Sequence, residues 1–309
     1  MRERDIVARL RRSFPRIGDD GAVVGRQVFT TDMLIEDVDF TRAVPLEAIT
    51  RKSIAVNLSD LAAMGATPDF ILIAAGVPPW VERERFVEAV IAAAESFPVE
   101  VIGGDLSQAD KLTISITAIG TAERPLLRST ARPGDRLFIS RPLGASAAGL
   151  FLLQHGWTVE EAPAHLTFTQ KELGLSAIRR HIDPEPEVRL GILLGSIADV
   201  TACIDVSDGL STDLHHLCEA SGLGASIEKE RIPVFADLRE NGRSLGVDVS
   251  QAVLHGGEEY ALLFTSSLTE GELSTRAGRP VYRIGRMTRE KDVLLDGKEL
   301  PVGGFEHFA

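Results

Sequence analysis

The chain has 309 residues, with 33 lysines and arginines against 45 aspartates and glutamates, a formal net charge of −12. Hydrophobic residues make up 44% and charged residues 25%, the composition of a folded globular protein rather than a disordered one. The acid surplus counts against a nucleic-acid binder, which carries a basic face. It leaves anionic substrates open, because bound cations reverse the sign of a local site.

At about 150 residues per domain the length points to two domains. The first twelve residues mix Arg2, Arg4, Arg9, Arg11 and Arg12 with Glu3 and Asp5, without the apolar run of a signal peptide. The longest apolar stretches, such as 70–77, fall far short of a membrane span. Cys203 and Cys218 form no CxxC and read as small buried apolar residues. A cytoplasmic protein with neither nucleic acid nor membrane as partner is the expectation.

In chain order, 28–35 reads as a strand and 46–64 as a helix stopped by Gly65. A second helix covers 82–97. A short strand at 99–102 runs into Gly103-Gly104-Asp105, and 112–118 alternates apolar and hydroxyl residues at the period of a half-buried strand. Turn residues at 124–135, with Pro125 and Pro133-Gly134, mark the candidate boundary between a domain at 1–125 and one at 126–309. Beyond it come a strand at 137–140, helices at 145–155 and 169–182, a strand at 199–206 and a helix at 210–220. Strands at 259–265 and 281–284 follow. The class is α/β, as two mixed α/β domains. Each half carries a Gly-Gly-acid, 103–105 and 256–258, a faint echo of duplicated halves.

A GxxxxGK[ST] loop, a complete GxGxxG, HExxH and GxSxG are all missing, so the common nucleotide and hydrolase motifs offer no lead. What remains is a series of acids at the ends of elements. Gly18-Asp19-Asp20-Gly21 reads as a turn. Asp32 follows Thr30-Thr31 inside a strand, where aspartate is disfavoured. Ser53, Asn57 and Asp60, spaced i, i+4 and i+7, share one face of an otherwise apolar helix, a polar stripe facing either solvent or a ligand. Gly103 and Gly104 let the backbone come close to a partner, here read as phosphate. In Asp205-Val206-Ser207-Asp208-Gly209, Ser207 or Asp208 is either a helix N-cap or part of a cation and anion site. Gathering Asp20, Asp32, Asp60, Asp105, Asp205 and Asp208 without cations carries like-charge and desolvation costs. Magnesium takes oxygen ligands and is held by carboxylates together with substrate phosphates, so the set points to phosphate chemistry on several magnesium ions.

At these motifs the chain resembles the thiamine-monophosphate kinase family, in the ATP-binding superfamily of aminoimidazole ribonucleotide synthetase, selenophosphate synthetase and a hydrogenase-maturation protein. The resemblance runs in order over almost the whole chain: residues 17–20, 30–34, 55–66, 103–105, 132–135, 143–150, 203–210 and 256–260, and the final His307-Phe308-Ala309. The NLSDLAAMGA run at 57–66 is its most specific part. The resemblance implies an N-terminal domain that forms a homodimer through its sheet, a larger C-terminal domain, and an ATP site between them.

The resemblance also implies the roles. Asp20, Thr30, Thr31, Asp32, Asp60, Asp105, Asp205 and Asp208 would bind magnesium ions, with Asp32, Asp60 and Asp208 at the centre of catalysis. Gly104, Asp105, Arg128 and Ser207 would contact ATP, and Glu258 and Phe305 would lie on the thiamine side. Lys52 matches a family lysine without an assigned role. The family's substrate-side histidine is Asp39 here, its GGEDYE has Glu259 for the second acid, its P-x-P-R ends in Glu187, and its GGDTT reads Gly103-Gly104-Asp105-Leu106-Ser107. The metal-type acids are retained while the substrate side departs. The expected reaction is magnesium-dependent transfer of the ATP γ-phosphoryl group to thiamine monophosphate. A synthetase of the same superfamily with another acceptor, and a non-catalytic nucleotide-binding relative, are the alternatives.

Overall fold

The computed structural model describes residues 3–14 and 16–305; the terminal His307-Phe308-Ala309 of the family signature lies outside the described residues. The first half carries α1 (Glu3–Ser13), β1 (Ala22–Val24), β2 (Gln27–Ile35), α2 (Leu46–Ala63), β3 (Thr67–Val77), α3 (Arg83–Glu95), β4 (Glu100–Gln108) and β5 (Thr113–Thr121). Its strands form one sheet in the order β1-β2-β5-β3-β4. Only β3 and β4 pair in parallel; β2 and β3 both run antiparallel to β5. The alternation read at 112–118 is the cause of one apolar face: Ile114, Ile116 and Ala118 are buried and pack with Ile54, Leu58 and Leu61 of α2 and Phe86 of α3.

The second half runs β6 (Arg136–Ile139), α4 (Ala145–Gln154), α5 (Phe168–Ile182), α6 (Val188–Ser196), β7 (Val200–Asp205), α7 (Leu210–Ser221), β8 (Gly224–Ile227), α8 (Leu238–Asn241), α9 (Val249–His255), β9 (Leu262–Ser266), α10 (Glu270–Ala277), β10 (Tyr282–Thr288), β11 (Val293–Leu295) and β12 (Lys298–Glu299). Its seven strands are ordered β12-β11-β8-β10-β6-β9-β7. Cys203 and Cys218 are free and buried. Among the described residues no helix is long and apolar enough to cross a membrane.

Helix α2 belongs to both halves. Its middle lies on the first sheet, while Ala62 and Ala63 pack with Phe138, Leu190, Leu194 and Phe264 of the second half. It ends where Gly65 turns left-handed, at φ +66°, a conformation cheap only for glycine. Helix α6 crosses it there backbone against backbone. A Cβ on Gly191 would stand 2.2 Å from the Ala62 carbonyl oxygen, so the crossing needs a residue without a side chain.

Two readings change. The strand placed at 99–102 continues through the Gly-Gly-Asp to Gln108, so these residues lie within β4 and not beyond its end. A Cβ on Gly104 would lie 1.8 Å from the Ile73 carbonyl oxygen of β3, so the close approach this glycine permits is to the neighbouring strand. The two Gly-Gly-acid segments are also not structural equivalents: 256–258 is a loop between α9 and β9. Helices α1, α6, α8, α9 and α10, and strands β1, β3, β8, β11 and β12 have no counterpart among the elements expected from the sequence. Most are too short to show a period, and α6 follows two prolines.

Gly191→Ala should cost about 1–3 kcal/mol of stability, the range for overpacking a tight contact, measured by urea unfolding. Unchanged stability would mean that α2 and α6 part freely.

Candidate active site

The acids converge where the halves meet. Asp20 precedes β1, Asp60 comes from the last turns of α2, and Asp205 ends β7; one carboxylate oxygen of each lies within 4.8 Å of the others. Asp205 and Asp20 are buried and Asp60 half-buried. Ser59 Oγ donates to Asp205 Oδ2 at 2.6 Å, and Thr30 Oγ1 donates to Asp60. The Arg128 guanidinium grips Asp20 with two nitrogens, at 2.7 and 3.2 Å, and the Arg128 N–H donates to Asp19 Oδ1 at 2.7 Å. The Arg128 side chain, expected to contact ATP, is engaged with Asp20.

Alternation along β2 sorts its residues. Thr30 and Asp32 share a face with Val28 and Leu34, the side covered by α2. Thr31 points the other way, its hydroxyl donating to the Ile116 carbonyl at 3.0 Å. The polar stripe of α2 divides in function. Asn57 Oδ1 accepts the Asp32 N–H at 2.9 Å and its Nδ2 donates to the Ser53 carbonyl at 3.0 Å, tying helix to strand, while Asp60 is left to face the acids.

At the β7–α7 junction neither Ser207 nor Asp208 caps the helix. Gly209 is the capping residue, and Asp213, from the first turn of α7, reaches back to accept the N–H groups of Asp208 and Gly209 at 3.1 and 3.0 Å. Asp213 was not singled out in the sequence; its only signal is an acid in the first turn of a helix. With His216 it forms a second oxygen and nitrogen grouping around Asp208. The 256–260 loop is zipped onto this junction: the Glu258 N–H donates to the Ser207 carbonyl at 2.7 Å and the Tyr260 N–H to the Val206 carbonyl at 2.8 Å. The Phe305 N–H donates to the Asp208 carbonyl at 3.1 Å, which holds this ring at the same rim.

Together these residues surround a cleft of about 660 Å³, within the size range of small-molecule sites. Asp20, Thr30, Thr31, Asp32, Asp39, Asp60, Arg128, Asp205, Ser207, Asp208, Glu258 and Phe305 line it. The apolar side chains of Met33, Val38, Leu150 and Phe151 also line it. Gly104 and Asp105 are not among the lining residues. They stand on β4, the edge of the first sheet, where all nine residues are exposed. Asp39 is in the wall with its Oδ2 accepting the Ile35 N–H at 2.7 Å.

The electrostatics are those of a site built for cations. Burial, then the charges of Asp32, Asp205 and Asp20, lifts the Asp60 carboxyl well above the aspartate range. Burial and then Asp20 does the same for Asp205. Burial also raises Asp19 and Asp213. Glu258 is the opposite case: burial would raise it, but Lys52 and His181 outweigh that and hold it at about 2. The donors of the acid cluster are hard oxygens, the set that magnesium takes, and Arg128 is the one arginine or lysine among the residues lining the cleft. The residues present therefore fit divalent cations.

The chain matches the family models "AIR synthase related protein, N-terminal domain" over residues 18–122 and "AIR synthase related protein, C-terminal domain" over 132–297. It is 35% identical to the thiamine-monophosphate kinase of Aquifex aeolicus, the alignment covering 94% of this chain and 92% of that protein. It is also 35% identical to the thiamine-monophosphate kinase of Salmonella typhimurium, over 95% and 91%. Among solved structures it is similar to AaThiL complexed with AMPPCP and TMP, with a TM-score of 0.88 at 33% identity, over 99% of this chain and 97% of that one.

The raised acids give a pH prediction. Their protonated forms are favoured in the fold, so their contribution to stability is complete below the ordinary aspartate range and is lost as pH rises through the raised values. A divalent cation held by these carboxylates would have to displace those protons. The gain in melting temperature on adding magnesium should therefore grow as pH rises above the ordinary aspartate range. A gain independent of pH would show that the cation binds elsewhere.

Proposed function

We propose that this chain, which belongs to the thiamine-monophosphate kinase family of AIR synthase related proteins, transfers the γ-phosphoryl group of ATP to thiamine monophosphate, giving thiamine diphosphate and ADP. The observation that carries the reading is the convergence of Asp20, Asp60 and Asp205 in a cleft whose walls also carry apolar side chains. It agrees with the likeness over nearly the full length to a structure holding AMPPCP and TMP.

An oxygen of the acceptor phosphate attacks the γ-phosphorus in line, and the bond from that phosphorus to the β–γ bridging oxygen breaks, leaving ADP. The acceptor phosphate is already largely ionised near neutral pH, since its second pKa is about 6, so the step needs no strong base. The cleft histidines fit this: His181 is engaged with Ser146 and His255 with Ser211. Asp20, Asp32, Asp60, Asp205 and Asp208 would hold magnesium, with Thr30 fixing Asp60 and Asn57 fixing the backbone of Asp32. When bound, the ions neutralise the phosphates, which is the main catalytic demand of a loose transition state. Ser207 and Arg128 serve the phosphates, while Asp39, Glu258 and Phe305 serve the thiamine side, whose rings bury against the apolar side chains.

The reading includes a homodimer through the first sheet. Its support is the uncovered edge strand β4, where Val101, Ile102 and Leu106 are 43%, 50% and 61% exposed, an arrangement that protein edges avoid unless another chain covers them. Gly104 and Asp105 sit on that edge, so their assigned contacts with ATP and magnesium go together with the dimer. The two unpaired, buried cysteines are the usage of a reducing, cytoplasmic compartment.

Incubation with ATP, magnesium and thiamine monophosphate should yield thiamine diphosphate and ADP, resolved by chromatography. ATP consumed without thiamine diphosphate would point to another acceptor, and no turnover with any acceptor to a binding protein. Asp32→Asn should lower kcat at least ~100-fold, the scale of one lost preorganised electrostatic contact. Near-wild-type turnover of that variant at saturating magnesium would sink the metal assignment.

A further inference from the structure

We infer that Lys52 is a positioning residue for acceptor recognition, acting by fixing the carboxylate of Glu258 across the seam between the two halves. This rests on the function proposed above.

Lys52 is only 3% exposed on the most buried helix of the fold. An ammonium there is costly unless paired, and the partner is supplied from the other half: Lys52 Nζ lies 2.6 Å from Glu258 Oε1. The second carboxylate oxygen, Oε2, lies 3.1 Å from His181 Nδ1 on α5. Ser146 Oγ, on α4, lies 3.0 Å from the same nitrogen. Because serine and glutamate meet one ring nitrogen, this trio is not a nucleophile relay, which needs the two nitrogens on opposite sides. The arrangement instead has the Nδ1–H shared between two acceptors, aiming the carboxylate.

The backbone is held as firmly. Glu258 is left-handed at φ +58° and Tyr260 at φ +49°, conformations costly for residues with side chains and kept only where their surroundings impose them. A Cβ on Gly257 would lie 2.6 Å from the Ser207 carbonyl oxygen. The fixed carboxylate stands between two spaces, the main cleft and an adjoining cavity of about 230 Å³. It stays ionised, at about 2, largely because of Lys52.

Thiamine monophosphate is a phosphate at one end and a cationic thiazolium with an aminopyrimidine at the other. The acid cluster serves the first end. A carboxylate held in one orientation, distinct from that cluster, suits the amino donor or the cationic ring of the second. Lys52 is then placed to affect the acceptor and not ATP.

The test is steady-state kinetics of Lys52→Met, Lys52→Arg, Glu258→Gln and the Lys52→Met/Glu258→Gln double variant. Lys52→Met should raise KM for thiamine monophosphate about tenfold, as expected for a weakened hydrogen bond to a charged group, while KM for ATP stays within about twofold. Lys52→Arg should recover part of the loss. The double variant should be no worse than Glu258→Gln alone, since the lysine acts through the glutamate. Equal rises in both KM values, or additive effects in the double variant, would overturn the inference. If Lys52→Met loses its cooperative melting transition, Glu258→Gln must itself show the selective rise, and its absence would overturn the inference equally. Wild-type enzyme that makes no thiamine diphosphate would defeat the proposed function. Wild-type enzyme that makes it, with no selective rise in the variants, defeats only the role of Lys52.

Discussion

Asp20, Asp60 and Asp205 repel one another across less than 4.8 Å, in surroundings largely stripped of water. Nothing in a hydrophobic core repays that arrangement, and the fold contains it by three devices. The Arg128 guanidinium clamps Asp20, hydroxyls of Thr30 and Ser59 satisfy Asp60 and Asp205, and the carboxyls retain protons more readily than free aspartates. Each device is a partial substitute for the charge that a bound divalent cation would bring. The same constraint explains why the acids come from β1's leading turn, α2 and β7: no single element presents three carboxylates to one point, so the site exists only where both sheets and the shared helix come together.

The acids were legible in the sequence because each violates its local setting. Asp32 interrupts an apolar strand, Asp60 ends a polar stripe on a buried helix, and Asp205 closes a strand. Their convergence was not legible, since it depends on packing between elements far apart in the chain. The supporting groups were hidden for a related reason. Ser59 and Lys52 lie on α2 among apolar residues, and only their partners, Asp205 and Glu258, more than a hundred residues away, show what they do. Gly104 permits closeness, but to a neighbouring strand, because a missing side chain says that something approaches and not what. The longer elements α2, α5, α7 and β5 followed their periodicity, while β8, β11 and β12 are too short to have one.

Three of the departures from the family pattern find local partners. Asp39, where the family carries histidine, accepts the Ile35 N–H and closes the turn after β2, with Asp37 left-handed at φ +66°. Glu187, in place of an arginine, sits between Arg141 and Arg279, so a reversed charge is met by two cations of the opposite sign. Glu259 accepts the N–H groups of Gly144 and Ser146 at the start of α4, and burial still pushes its carboxyl up to about 7. These substitutions are therefore stitched into the scaffold and not left loose at the substrate end.

Helix α2 contributes side chains to the apolar interiors of both halves, and its crossing with α6 leaves no room for even a methyl group at Gly191. Cutting the chain at the turn-rich connection around 123–131 would therefore not release two self-sufficient pieces. The N-terminal fragment would bare the Ala62–Ala63 surface to water, and the C-terminal one would lose the wall that covers Leu190 and Leu194. Gene fission, circular rearrangement or recombination of halves between relatives would thus have to preserve that helical seam, and swapped partners would be compatible only when their glycines fall opposite the same turns.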